Sequence, residues 1–558
     1  MKEKRVNTAR MMWELIKYKP GLYAANFAVF FAIFLIPVLP GLVYNDYYTR
    51  LESRDISAES VLLTIAILAG IYLIRALLLY IGAYTDSTHR FYVCNLVRYN
   101  LISYILARPG ACPYTGSAGS ITNSIKEDAN QIEESITWTI DIIGTYTFAM
   151  LAGIILLSIN WKITLIAFAP FFVLLFLVKK TKTYIERNRK KVRETSAQMS
   201  ATMTDIFSAM QSVKAFGSET EVTEYMYRAN KERCSYIIKD HIFTRVLSAM
   251  NNNVIHITTG LILLIASAYM YQGTFSIGNL VLFLYYLDYI SGFVMEFGEY
   301  LAHYKQTEIA FQRLEEYFES EDRWKLVEHT ELDLKNVEFE EALVEAEEFH
   351  SVEYRNIGVS YGTGEFKLRG FSLKMSRGEK AAIRGKVGSG KSSLLKALVG
   401  LLPVTGGEIF WNGVKVEQIS EYLKPAYIGY IPQSPKLMLD TIKNNILLGL
   451  KADGEDLACA LKKAILEEDI SLMSDGLETD VGAGGGKLSG GQQKRVAAAR
   501  ALVRKPVLLG IDDISSSLDH ETESKFWEKI LADKDLTCLI VTNNEELIGR
   551  CDKVIDLS

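Results

Sequence analysis

Apolar residues in this chain follow two rhythms, and the change falls near residue 350. Upstream, long unbroken apolar runs alternate with long charged stretches. Downstream, short apolar runs of strand length alternate with helical periods. Six of the upstream runs approach the about 20 residues that a helix needs to span a bilayer. They cover roughly 22–44, 60–84, 136–158, 163–178, 250–272 and 277–300. A tight turn at Asn160-Trp161-Lys162 separates the third from the fourth, and Gln272–Ser276 separates the fifth from the sixth. Ahead of them, Met11, Met12, Leu15 and Ile16 recur at helical spacing among Lys and Arg over residues 9–19. That pattern predicts a short amphipathic helix along the membrane surface, ended by Pro20-Gly21.

The charged stretches orient the spans. Lys179, Lys180, Lys182, Arg187, Arg189, Lys190, Lys191 and Arg193 crowd one connection, whereas the turn near Gly273 has no Lys or Arg. The basic side is cytoplasmic, so both termini are expected there, in a multi-pass protein of the cell membrane surrounded by lipid. Stretches 85–135 and 179–249 hold few turn signals and are too long for structureless loops, so they read as helical extensions beyond the bilayer. Residues 319–350, with Glu340, Glu341, Glu345, Glu347 and Glu348, read as an acidic linker and not as a metal site. The expected domains are therefore 1–318 (transmembrane), 319–350 (linker) and 351–558 (soluble). The last alternates strands with helices, the pattern of an α/β domain on a mainly parallel sheet.

Composition sharpens this in three ways. With 558 residues and 49% hydrophobic content, more than one domain and a membrane-spanning part are expected. A net charge of −5 gives no reason for a nucleic-acid partner. The six Cys form no C-x-x-C pair, which excludes an evident zinc site or disulfide framework. No cleavable leader pattern opens the chain.

Candidate chemistry begins at Gly385-Lys386-Val387-Gly388-Ser389-Gly390-Lys391-Ser392-Ser393, between the apolar run Ala381–Ile383 and a helical stretch from Leu394. Strand, Gly-rich turn and helix is the setting of a phosphate-binding loop. Its backbone N–H groups and the new helix N-terminus wrap an anion. Lys391 reaches β- and γ-phosphates, and the Ser392 hydroxyl suits Mg²⁺. The strand Val507–Ile511 ends in Asp512, a second oxygen ligand for the ion. Leu488-Ser489-Gly490-Gly491-Gln492 is another Gly-rich turn opening a helix, about 100 residues from the first. Two such helix ends in one chain suggest two chains sandwiching nucleotide.

These motifs, in this order, resemble the nucleotide-binding domain of ABC transporters, with Leu488–Gln492 as the LSGGQ signature. The resemblance extends upstream to Ser212–Glu219 and Phe311–Glu316, which are similar to segments before the fifth and at the end of the sixth membrane helix of exporter-type half-transporters. It implies an all-α transmembrane domain of six helices followed by an α/β P-loop ATPase domain, using ATP and Mg²⁺ and pairing with a second half-transporter. It further implies that Tyr361 stacks on adenine, although a core aromatic is the other reading. It makes Gln433 a contact to Mg²⁺ and attacking water, and assigns Asp519, in Ser516-Ser517-Leu518-Asp519, to communication across the dimer.

Two departures from the family pattern stand out. The general-base position, usually Glu, is Asp513, whose carboxylate would stand about 1.5 Å back from the water. The switch position, usually His, is Asn543, which can donate a hydrogen bond but cannot carry positive charge or shuttle a proton. Ala483 and Gly484 also replace a common Glu and Arg, and the chain ends at Ser558 without the usual helical tail. The expectation is a site that binds ATP and cleaves it poorly, in one subunit of a heterodimeric exporter. A slow homodimeric exporter and an ATP-gated membrane regulator without cargo remain the alternatives.

Within the spans, Arg75, Asp288, Glu296 and Glu299 are ionisable groups that need a cavity or a partner. Either an acidic wall suited to cationic or zwitterionic cargo or an Arg75–Asp288 pair accounts for them. His256 and Asn251–Asn253 could line the pathway, or His256 could be structural.

Overall fold

The computed structural model describes residues 7–108, 118–319, 321–332, 348–361, 366–424, 426–515 and 518–557. The chain divides into two compact units, one of residues 1–102 and 116–330, the other of 103–115 and 331–558.

The first unit is helical. Asn7 caps helix α1 (Thr8–Tyr18), accepting from the Ala9 amide at 3.0 Å. The predicted surface helix is present, but its apolar face is turned inward. Met11 and Leu15 are fully buried against protein, so that face is not free to lie in the bilayer. Pro20 opens α2 (Pro20–Leu35), where its missing N–H costs nothing. A break at Ile36-Pro37 leads into α3 (Val38–Glu52). Helix α4 (Ala58–Ala107) runs unbroken through a predicted span and its charged extension. After α5 (Ala118–Asn123) and a π-helical turn at Ser124–Asp128 comes α6 (Ala129–Ser208). Its backbone is non-helical at Asn160 (φ −156°, ψ 101°), within the turn expected between the third and fourth spans. The Asn160 side chain caps the restart, accepting from the Lys162 and Ile163 amides. The short α7 (Met210–Ala215) precedes α8 (Glu219–Tyr271) and α9 (Ile277–Glu315).

Among the described residues, five helical stretches are long and apolar enough to cross a membrane: Pro20–Glu52, Ala58–Ala107, Gly119–Phe171, Glu219–Tyr271 and Ile277–Glu315. The third holds the Asn160 break and reaches into the expected span 163–178. The acidic stretch is not uniformly a solvated linker. Arg323–Val327 forms a 3₁₀ turn with Leu326 and Val327 buried, held by Asn100, whose amide donates to the Leu326 and Glu328 carbonyls. Glu340, Glu341, Glu345 and Glu347 lie outside the described residues.

The expected Arg75–Asp288 pair is not formed among the described residues. Arg75 Nε is buried without a hydrogen-bond partner, and Asp288 is exposed. Spacing along two helices does not fix their mutual rotation, which explains the miss. Glu296 instead accepts from Thr145 Oγ1 at 2.9 Å. His256 is exposed, and the side chains of Asn251 and Asn252 lie outside the described residues.

The second unit contains two sheets. One is antiparallel, in the order β2 (Phe366–Ser376), β1 (Ser351–Tyr361), β4 (Gly406–Trp411), β5 (Val414–Val416). The sequence pattern did not separate this sheet from the parallel one. The other is parallel, in the order β6 (Ile428–Ile431), β7 (Leu508–Asp512), β8 (Thr537–Val541), β3 (Lys380–Gly385), β9 (Lys553–Leu557). Strands β7 and β8 are buried along their whole length, as continuous apolar runs in a covered parallel sheet should be. Around them lie α10 (Lys391–Leu398), α11 (Ile442–Leu447), α12 (Gly454–Lys463), α13 (Glu467–Leu472), α14 (Gly490–Leu502), α15 (His520–Ala532) and α16 (Glu545–Gly549). Gly510 lets α10 approach β7 closely, since a β-carbon there would stand 2.7 Å from Val399 Cγ1.

Candidate functional site

Four neighbouring parallel strands, β6, β7, β8 and β3, end on the same side, and ligands of such sheets sit beyond their carboxyl ends. Their ends deliver Gln433, Asp512 and Asp513, Asn543, and the Gly385–Ser393 loop. The structure brings these together around a cavity of about 440 Å³, lined by Gly388, Gly390, Lys391, Ser392, Ser393, Gln433, Asp512, Asp513 and Asn543 among others. Gly388 (φ +85°) and Gly390 (φ +90°) take left-handed conformations that a side chain would resist, turning the chain sharply into α10.

The cavity has a basic and an acidic wall. Lys391 Nζ donates to the carbonyls of Gly385 (2.7 Å) and Lys386 (3.0 Å). Ser389 Oγ is buried with no hydrogen-bond partner among the described residues, an orphaned donor facing the same loop. Ser392 Oγ donates to Asp512 Oδ1 at 2.8 Å, and Tyr430 OH donates to Oδ2 at 3.2 Å. Burial first, and the adjacent Asp512 carboxylate second, push the Tyr430 hydroxyl above its ordinary range, so it stays a donor. A hydroxyl and a carboxylate within hydrogen-bonding distance form an oxygen pair that fits Mg²⁺, a hard cation. The Lys391 ammonium, on the cavity wall, fits phosphate oxygens, whereas Ser389 does not line the cavity.

The two substituted positions sit on the same rim. Gln433 Nε2 donates to Asp513 Oδ2 at 3.3 Å. Asp513 has φ +43°, an uncommon backbone conformation for a residue with a β-carbon. Turned so that its nitrogen faces the acceptors around it, the Asn543 amide donates to the Thr542 carbonyl (3.3 Å) and to the Gly385 carbonyl (3.2 Å), the oxygen that also accepts from Lys391.

The second Gly-rich turn is a separate place in this unit. Ser489 caps α14 in a capping box: its Oγ accepts from the Gln492 amide (3.2 Å) and its own amide donates to Gln492 Oε1 (3.0 Å). Gln492 Nε2 also donates to Asp469 Oδ1 (2.9 Å), and Arg495 pairs with Asp469 at 2.6 Å. Gly490 and Gly491 form the first turn of α14. Asp519 caps α15, accepting from the Thr522 amide at 3.0 Å, a bond that holds its carboxyl below the usual range. Tyr361 ends β1, and its side chain, like Ser516 and Ser517, lies outside the described residues. The sequence reading gave no role to Tyr430, Asp469 or Lys494. Tyr430 alternates with Ile431 toward the strand end, a weak signal that could have pointed to Asp512.

Helices long and apolar enough to cross a membrane, followed by a parallel-sheet domain with a phosphate loop beside an acidic strand end, define a membrane protein of the ATP-binding-cassette class. The chain belongs to the ABC transporters: residues 22–294 match the family's transmembrane region and residues 368–516 its ABC transporter model. It is 27% identical over 465 residues to the transport/processing ATP-binding protein ComA of Streptococcus pneumoniae, covering 82% of this chain and 62% of that one. It is 26% identical over 475 residues to ABC transporter B family member 1 of Dictyostelium discoideum, covering 82% and 50%. The chain thus spans only 50–62% of the length of these two relatives. Against the probable multidrug resistance ATP-binding/permease protein YheI of Bacillus subtilis, it is 23% identical over 548 residues, covering 96% and 90%. A bacterial Atm1-family ABC exporter solved with ATP bound shares the fold, with a TM-score of 0.71 at 20% identity over 96% of this chain and 93% of that one.

Proposed function

We propose that this chain is one half of a heterodimeric ABC exporter, moving substrate out of the cytoplasm with energy from ATP. Its own loop, with Lys391, Ser392 and Asp512, binds ATP with Mg²⁺ and cleaves it slowly. Its Ser489–Gln492 turn completes the site of a partner half-transporter, which carries an ordinary Glu and His and does most of the hydrolysis. Closure of the two ATPase domains on ATP turns the membrane helices outward, and hydrolysis at the partner's site resets them.

The observation that carries this reading is the pairing of Asp513 and Asn543 on one rim of an otherwise complete phosphate site. Asp513 is short of the reach of a Glu and is engaged by Gln433; Asn543 is engaged by the loop carbonyl of Gly385. Neither side chain offers both a proton shuttle and the needed reach. The near full-length match to YheI, named as a multidrug resistance permease, supports transport.

The test is to tag the chain in its native membrane, identify what co-purifies, and assay ATPase and vesicle flux with and without it. Expected is a second half-transporter whose presence raises ATPase and gives directional, ATP-dependent flux. Ordinary transporter ATPase rates from the chain alone would overturn the heterodimer, and ATPase without flux would overturn the exporter.

A further inference from the structure

Lys494 lies on α14, one turn beyond the Ser489 cap, and is only 4% exposed. Its ammonium does not face solvent. It donates to the backbone carbonyls of Asp513 (3.2 Å) and Ile514 (3.3 Å). Those carbonyls belong to the turn that begins with Asp513 in its left-handed conformation. On its other side the turn is held by the Asp513 amide, which donates to the Val541 carbonyl at 3.2 Å. Burying an ammonium is costly unless strong acceptors meet it, so two carbonyls on consecutive residues make a directed anchor. Burial lowers the Lys494 pKa while the nearby Asp513 and Asp512 carboxylates work against that shift. The same helix begins with the capping box and with Gln492 and Arg495 fixed on Asp469, so its N-terminus is rigidly set relative to Lys494.

We propose that Lys494 is a positioning residue that ties the signature helix to the Asp513 turn. Any shift of α14 is then passed to the hydrolytic rim of the same chain. Resting on the function proposed above, the link joins the turn serving the partner's nucleotide to the rim serving this chain's own. The state of one ATP site thereby adjusts the geometry of the other through a single buried side chain.

The test uses the full chain assembled with its partner, comparing wild type with Lys494→Met and Lys494→Arg. Two readouts are taken: ATPase kcat and KM, and hydrogen exchange of the backbone amides at 512–515 with ATP present. The expected result for Lys494→Met is a kcat lower by about tenfold, because an α14 no longer tied to the Asp513 turn holds the Ser489–Gln492 turn less firmly at the partner's faster site, with KM for ATP changed by less than about twofold. Exchange at 512–515 should be faster by about tenfold, while Lys494→Arg stays near wild type in both readouts. Unchanged exchange at 512–515 in Lys494→Met overturns the proposal. So does a KM that rises in step with the fall in kcat, or an Arg variant as impaired as the Met one. If Lys494→Met does not accumulate, Lys494→Gln, with a shorter neutral side chain, decides the same comparison. Exchange needs no turnover. A wild-type assembly without ATPase therefore counts against the function proposed above, while the exchange comparison still decides the role of Lys494.

Discussion

Gln433 reaches across the mouth of the phosphate loop to Asp513, its Nε2 3.3 Å from Oδ2, joining the end of β6 to the end of β7. These two rim side chains are thus engaged with each other. A Glu at 513 would extend further by about one C–C bond, or 1.5 Å. The double variant Asp513→Glu, Asn543→His should therefore raise hydrolysis at this chain's own loop by about a hundredfold, within the range for general-base catalysis. Asp513→Glu alone should give less. Steady-state ATPase of the purified variants checks this; no gain from the double variant would mean that the rim does not limit cleavage.

Ser392 and Asp512 offer a different test, because their oxygens face each other at 2.8 Å. Ser392→Ala removes one of the two oxygens proposed for Mg²⁺. Affinity for Mg-ATP at this loop should fall by about tenfold, whereas affinity measured in EDTA should be the same in variant and wild type. Equilibrium binding in both buffers separates a metal role from a merely structural one.

Ser489 has both a local and a remote consequence. Ser489→Ala removes the side-chain half of the capping box and should destabilise the ATPase domain by about 1 kcal/mol. In the assembled transporter it should also slow turnover at the partner's site, with ATP binding at this chain's own loop unchanged. Ser489→Thr keeps the cap and should restore the melting temperature; calorimetry and site-resolved nucleotide trapping read the two effects.

In the helical unit, Gly278 sits at a close approach of α9 to α3. An added β-carbon would stand 2.1 Å from the Asn45 carbonyl oxygen and 2.2 Å from Thr49 Oγ1. The neighbouring Asn45–Asn279 bond, Nδ2 to Oδ1 at 2.9 Å, would be forced apart as well. Gly278→Ala should cost about 1–3 kcal/mol through overpacking, seen as a lower melting temperature in detergent. Gly260→Ala on α8, which meets nothing within 4 Å, is the matched control and should not lower it.

Much of this was legible in the sequence where the signal is local. The phosphate loop, the strand ending at Asp512 and the Asn160 break are each written in consecutive residues, so their local structure follows from nearest neighbours. What needed three dimensions was not legible. The period of α1 showed that one face is apolar, but not that Met11 and Leu15 meet protein instead of lipid. Arg75 and Asp288 lie on helices whose mutual rotation is set by packing, and they do not pair among the described residues. Tyr430 and Asp512 stand 82 positions apart and meet only because β6 and β7 are neighbours in register. Lys494 looked like one more cation on a helix, and only its burial on the Asp513 turn distinguishes it.

The most direct measurement follows the nucleotide held at Lys391. The assembled transporter is loaded with radiolabelled ATP and Mg²⁺, allowed many turnovers with unlabelled ATP, and the nucleotide retained on this chain is identified. The account predicts labelled, uncleaved ATP still bound here while the partner's site has turned over repeatedly. Labelled ADP produced at this loop at the same rate as overall turnover would contradict it.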